Sequence, residues 1–306
     1  MRTQRWRSLG RVFVATGESQ IHYSHASYPT PLVLSDNVVR VFYSPRDAEG
    51  RSSVFSLDVA FTAEGFELVG PPQGPWLEPG PAGAFDDAGT SVSCVVRKPH
   101  GGLECWYLGW SLGVSVPFRT AIGVADAEPG EAHFRRRSFA PILDRASVDP
   151  LSLGYPWIVD HGNERWIWYG THRYPPTGGR KIDHVIRRAR SRDGGLNWIR
   201  DPDICLEHEG LDEWGLSRPS VLRDANGWHM WFARRLDTYR LGYAHSHSGE
   251  RWVRYDDAVF FSTPAGDWES DSRTYPAVFD CAGRRWMLYN GSGYGRSGFG
   301  LAVLES

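Results

Sequence analysis

At 306 residues, with a formal net charge of −2 and 41% hydrophobic residues, the chain can bury a sizeable core in one large domain or two ordinary ones. That near-neutral charge excludes the broad basic surface that nucleic acid or an anionic membrane needs, and no apolar run is long enough to span a bilayer. Cys94, Cys105, Cys205 and Cys281 show neither metal-ligand spacing nor a disulfide framework, and the N-terminus lacks the apolar run of a signal peptide. A cytoplasmic protein without a metal or other cofactor is therefore expected.

In chain order, Gln4-Arg-Trp-Arg7 opens a short strand, and a repeat of about 60 residues follows. Each copy begins with an apolar strand: Pro31-Leu-Val-Leu34, Ser93-Cys-Val-Val96, Pro156-Trp-Ile-Val159, Pro219-Ser-Val-Leu222 and Pro276-Ala-Val-Phe279. An aromatic strand comes next, at Val39–Tyr43, Glu104–Tyr107, Arg165–Tyr169, Trp228–Phe232 and Arg285–Tyr289. A third strand closes each core, at Ser53–Leu57, Ala121–Ala125, Val185–Ala189, Leu241–Ala244 and Phe299–Ala302. Short alternating runs separated by Gly, Asn and Asp are the hairpin signal, and repeated four-stranded units of this size predict an all-β, five-bladed β-propeller with antiparallel blades. No linker or shift in composition divides the copies, so residues 1–306 read as a single domain. The last copy ends after its third strand, whereas the third and fourth carry outer-strand patterns at Asn197-Trp-Ile-Arg200 and Arg251-Trp-Val-Arg254. Residues 3–15 are expected to supply the missing strand beside Phe299–Leu304 and so hide an exposed edge.

In a propeller, the loops leading into the first strands and those joining strands two and three gather at one mouth, and such loops on a rigid scaffold carry function. Here they bring His25, Asp86, Asp87, Asp149, Glu213, Arg218 and Tyr275 before the first strands. Between strands two and three they bring Arg51, Trp110, Arg119, His172, His184, Arg234, Asn290 and Tyr294. Acids, arginines and aromatics in every copy suit a polyhydroxylated or anionic small molecule. Other readings stand beside this one. Asp86 and Asp87 also fit turn caps, Glu213 a solvated acidic loop, His25 a turn histidine, Asn290–Tyr294 a plain hairpin, and Arg218 and Arg273 struts between blades.

The phrases Ser217-Arg-Pro-Ser-Val-Leu222, Gly227-Trp-His-Met-Trp-Phe232, Leu241-Gly-Tyr-Ala244, Tyr275-Pro-Ala-Val-Phe279 and Met287-Leu-Tyr-Asn-Gly291 resemble the five-bladed propeller glycosidases of families 32, 43, 62, 68, 117 and 130. His25–Pro31, Phe85–Gly89, Pro117–Gly123 and Tyr289–Gly295 are similar to a glycosidase-like subgroup associated with bacterial glycan or secondary-metabolite gene sets. The resemblance covers nearly the whole chain and implies the fold more strongly than an activity. Family 43 places carboxylates at the starts of its inner strands, the base typically in an Asp-Pro. Here that place reads Tyr28-Pro-Thr-Pro31, and Tyr155, Arg218 and Tyr275 precede the later prolines.

The implied function is cleavage or transfer of a glycosidic bond in a small, anionic, sugar-like substrate, by hydrolysis or phosphorolysis. Asp86 or Asp87 would serve as base and Glu213 as acid, since an inverting hydrolase needs two carboxyl groups about 6.5–9.5 Å apart. Arg51, Arg119, Arg218 and Arg234 would grip the substrate. One alternative is a lyase, isomerase or cyclase using His25 with His172 or His184 as base. Another is a propeller that only binds a glycan or a protein. Composition leaves the oligomeric state open.

Overall fold

The computed structural model describes residues 3–17, 19–63, 65–174 and 182–305. Apart from two short 3-10 turns, Asp256–Ala258 and Asp267–Glu269, the regular structure among these residues is β-strand. No helix among them is long and apolar enough to cross a membrane.

After β1 (Gln4–Phe13), the strands β2 (Ser24–Val33), β3 (Val38–Arg46), β4 (Val54–Phe61) and β5 (Phe66–Leu77) pair consecutively as one antiparallel sheet. A second follows: β6 (Gly89–Arg97), β7 (Leu103–Leu112), β8 (Phe118–Ala127) and β9 (Arg135–Arg136). Two further meanders are joined by a single parallel bridge between His184 and Gly215. They are β10 (Leu153–His161), β11 (Glu164–Tyr174), β12 (Asp183–Ser191), β13 (Ile199–Arg200), and β14 (Gly215–Asp224), β15 (Gly227–Arg235), β16 (Tyr239–Ser246), β17 (Val253–Arg254). The short β18 (Val259–Phe261) precedes the last group, β19 (Thr274–Cys281), β20 (Arg284–Asn290) and β21 (Phe299–Glu305). β1 completes that group, with Arg5 opposite Glu305 and Trp6 opposite Leu304, the pairing expected of the N-terminal segment. β18 lies parallel to the other side of β1.

Each meander's second strand is covered on both faces, which is why it reads as an unbroken apolar run. In β11, Ile167, Trp168 and Tyr169 are fully buried. Rings from neighbouring sheets then meet across the gaps. Trp166 stacks on Trp228 with centroids 5.3 Å apart, and Phe61 of the first meander stacks on Trp286 of the last at 4.2 Å. Trp6 is fully buried edge-on to Trp231, whose indole N–H donates to Gln4. An indole so placed is worth about 3–5 kcal/mol against alanine, so β1 ties the last meander to the fourth.

One local feature positions the site. The first strands of four meanders slip register just where Tyr28, Tyr155, Arg218 and Tyr275 stand, each followed by proline. All four residues adopt left-handed backbone, with φ between 52° and 58°. Non-glycine residues there cost about 1–3 kcal/mol each, and such strain collects where a side chain must be re-aimed. The re-aimed side chains meet. Tyr28 lies 5.4 Å from Tyr155 and 4.9 Å from Tyr275 between ring centroids, and the Arg218 guanidinium sits 5.9 Å from the Tyr28 ring.

Candidate active site

Above these residues opens a cavity of about 910 Å³. Its floor and walls include Tyr28, Tyr155, Tyr239 and Tyr275, with Trp214 and Tyr294 nearer the rim. Among the described residues, the charged side chains are Arg46, Arg235 and Arg296, and the titratable ones include His25, His172 and His184. No aspartate or glutamate lines it among the described residues. Arg235 packs against Trp214, Tyr239 and Tyr294 and donates to the Tyr294 hydroxyl. A side cavity of about 490 Å³ shares Phe118, Thr120 and His172 with the main one.

The histidines are held neutral. Burial, then the charges of Arg46 and Arg296, push the His25 imidazole down to about 4. Burial, then His184, pushes His172 down to about 3. Burial takes His184 to about 4, although its Nδ1 lies 2.9 Å from the Leu216 carbonyl, a contact that works the other way. Burial also raises Tyr155 and Tyr275 well above the usual phenol range, so both stay protonated. The unfolded chain binds protons on these histidines near pH 6.5 while the folded chain does not, so stability is full above about 6.5 and is lost as pH falls toward 4. We expect the melting temperature to fall across that window, each histidine contributing up to about 1.4 kcal/mol per pH unit. His184→Gln should flatten the slope, and a melting temperature flat from neutrality to pH about 4 would contradict the assignment.

The acids that track the repeat do different work. Asp86 is fully buried, accepts a hydrogen bond from the Tyr107 hydroxyl at 3.0 Å and pairs with Arg136 at 2.8 Å. Asp149, equally buried, accepts from Tyr169 at 2.7 Å and pairs with Arg200 at 2.9 Å and Arg187 at 3.3 Å. Glu213 pairs with Arg234 and Arg254, both at 2.6 Å, and accepts the Glu209 N–H at 2.8 Å. In each case an acid on the lead-in loop is tied to the second strand and to an arginine of the outermost strand, β9, β13 or β17. Where Phe232 replaces the tyrosine, Arg254 lies over its ring and Arg234 supplies the second contact. Burial alone would raise the Glu213 carboxyl, but the Arg254 hydrogen bonds, the Glu209 N–H and Arg234 leave it below the usual carboxylate range. A carboxylate so held stays ionised and is no proton donor at neutral pH, so Glu213 does not fit the expected general acid.

The remaining candidates divide in the same way. His25, His172, His184, Tyr275 and Tyr294 line the main cavity, Arg119 the side cavity, and Trp110 a third adjoining space in which its indole donates to Ser52 at 2.9 Å. Asp87 closes a turn by accepting the Gly83 N–H. Arg51 pairs with Asp47 at 2.8 Å, and Arg234 with Glu213 and Asp256. Asn290 clamps the backbone of Ala26, Tyr28 and Gly298. Arg218 is wholly buried beneath the tyrosines and donates to Ser93, Pro29 and Thr30, tying first strands together across the axis. Burial lowers it to about 10, so it keeps its charge at neutrality. Arg273 is likewise a strut, to Glu269 and the carbonyls of Thr263 and Pro264. Arg46, Arg235, Arg296, Tyr28, Tyr155 and Tyr239 were not among the sequence candidates. The X-Pro pattern at Tyr28, Tyr155 and Tyr275 was the signal for the floor. The arginines lie in the connections between strands two and three that the sequence placed at the mouth, although they were not singled out within them.

The architecture is a β-propeller fold that solved glycoside hydrolases share. A solved glycoside hydrolase superposes with a TM-score of 0.76 over 99% of this chain and 92% of that chain, at 14% identity. A GH130 structure, described with mannoside phosphorylases and with hydrolases that target beta-1,2 mannosidic linkages in Candida mannan, gives 0.71 over 98% and 94%, at 12% identity. A thermostable family-43 glycoside hydrolase gives 0.59 over 94% and 90%, at 14% identity. No protein-family model matches the chain. It is 41% identical over 301 residues, 98% of its length and 99% of theirs, to the uncharacterized proteins Rv1502 and MT1551 of Mycobacterium tuberculosis, and it belongs to their family.

Proposed function

We propose that the chain is a single-domain, five-bladed propeller enzyme that cleaves or transfers a glycosidic bond in a small anionic sugar. The observation that carries this reading is the cavity's composition: arginines, neutral histidines and a floor of tyrosines, with no lining carboxylate among the described residues. Tyrosine rings offer apolar faces to a sugar ring, and arginine forks match a carboxylate or phosphate. The glycoside hydrolases and the phosphorylase-related structure that share the fold support carbohydrate as the substrate class. With Asp86, Asp149 and Glu213 engaged in buried ion pairs, proton transfer falls to histidine and tyrosine rather than to two carboxyl groups.

Calorimetric titration tests the reading. Uronates and 6-phosphates of the gluco, galacto and manno series are compared with their neutral parent sugars. At least one anion is expected to bind about 30-fold or more tightly than its parent, the worth of one charged hydrogen bond. Equal affinity for parents and anions, or no binding by any anion, would overturn it.

A further inference from the structure

His25 stands between two arginines because the backbone puts it there. Ser24, its predecessor, is the cross-strand partner of Arg46 in the β2–β3 pair. Ala26, its successor, donates its N–H to the carbonyl of Gly295 at 2.8 Å, and Arg296 follows directly. His25 is 6% exposed and has φ 63°, and its Nδ1 lies 3.0 Å from the Ser24 hydroxyl. Neither arginine has a carboxylate partner among the described residues, although Arg46 lies 5.9 Å from the Trp110 ring. An acid-free cavity thus holds two arginines beside one imidazole.

Resting on the anionic-sugar reading above, we propose that this cavity cleaves a uronic-acid glycoside by β-elimination, with Arg46 and Arg296 gripping the carboxylate and His25 removing the proton from the carbon that bears it. Two cations on a carboxylate stabilise the negative charge that develops when the adjacent C–H bond breaks. With Nδ1 turned to Ser24, Nε2 accepts the C5 proton. The C5–H electron pair becomes the C4=C5 double bond and the C4–O bond breaks. The leaving oxygen takes a proton from the Tyr28 phenol, and the proton on His25 returns to Tyr28 through water. No water is consumed and no oxidant is required. Two carboxyl groups are not needed, which accounts for a site built without them.

The same geometry makes the base conditional on its substrate. Burial, then Arg46 and Arg296, hold His25 down at about 4. A carboxylate seated on both arginines cancels the second contribution and moves the imidazole back toward its ordinary range, where a general base is most effective. A neutral sugar leaves it weak. Arg46 and Arg296 are the charged groups acting on His25.

Oligogalacturonides, oligoglucuronides and oligomannuronides are incubated with the full chain. Reducing ends and the ultraviolet absorbance of the conjugated double bond are followed together, and binding is measured separately. On at least one series, elimination gives one chromophore for each new reducing end. His25→Asn keeps a residue that tolerates left-handed backbone. It is expected to lower turnover about 10³-fold while binding stays within about threefold and the melting curve stays near wild type. Reducing ends without chromophore would mean hydrolysis and overturn elimination alone. Binding without turnover, or turnover unaffected in a folded His25→Asn variant, would do the same. Failure of every uronide to bind, while sugar phosphates bind in the earlier titration, would overturn the uronate assignment and leave the anionic-sugar reading standing. Failure of all anions in that titration would remove both.

Discussion

Glu213→Gln is expected to cost the fold about 3–5 kcal/mol, because removing one member of a buried ion pair leaves the other charge uncompensated. Here two arginines lose one of their carboxylates, since Arg234 and Arg254 both converge on Glu213 and are left to share Asp256, and the Arg254 side chain is only 4% exposed. Folded domains have about 5–15 kcal/mol of stability in all, so the loss is a large share of it. Thermal or denaturant unfolding reads it directly. The folded fraction should still bind anions with wild-type affinity, because Glu213 does not line the cavity. An unchanged melting curve with abolished turnover would restore Glu213 as a catalytic acid.

Arg46→Ala combined with Arg296→Ala should have the opposite signature. Each charged contact to a bound anion is worth about 1.5–3 kcal/mol, so the pair is expected to weaken uronate or phosphate binding about 10³-fold. Binding of the neutral parent sugars should be unchanged. Stability should fall by no more than about 1 kcal/mol, since Arg296 is exposed, neither arginine holds an acid, and the half-buried Arg46 loses only its contact with the Trp110 ring. Calorimetry of the double variant beside wild type settles the matter. A loss of binding below about threefold would place the anion elsewhere.

The two results would separate roles that the sequence merges. Asp86, Asp149 and Glu213 recur with the period of the chain and lie near the mouth, so they read as a ring of functional acids. They recur because each of their meanders needs its lead-in loop fastened to its outermost strand, and a buried acid paired with an arginine of that strand does that. Periodicity reports what every repeat requires. A ligand site is asymmetric and need not repeat. Arg46, Arg235 and Arg296 stand at or just after the end of a second strand, in the connections the sequence placed at the mouth, but nothing local separates them from the other arginines of those connections.

The sequence by itself determined the strands, their grouping, and the return of the N-terminal segment to the last group, because alternation, turn residues and repeat length are local properties. The residues before its strand prolines, Tyr28, Tyr155, Arg218 and Tyr275, were legible in it only as places without the expected carboxylate. Only the tertiary structure decided which of these face a ligand: the tyrosines form a floor, and Arg218 is buried beneath it. Only it brought Arg296 to His25 across some 270 positions of chain, through one backbone hydrogen bond from Ala26 to Gly295. Whether a charge is a strut or a binding group depends on what lies opposite it after folding, and that partner is chosen by closure of the sheets, not by its neighbours in sequence.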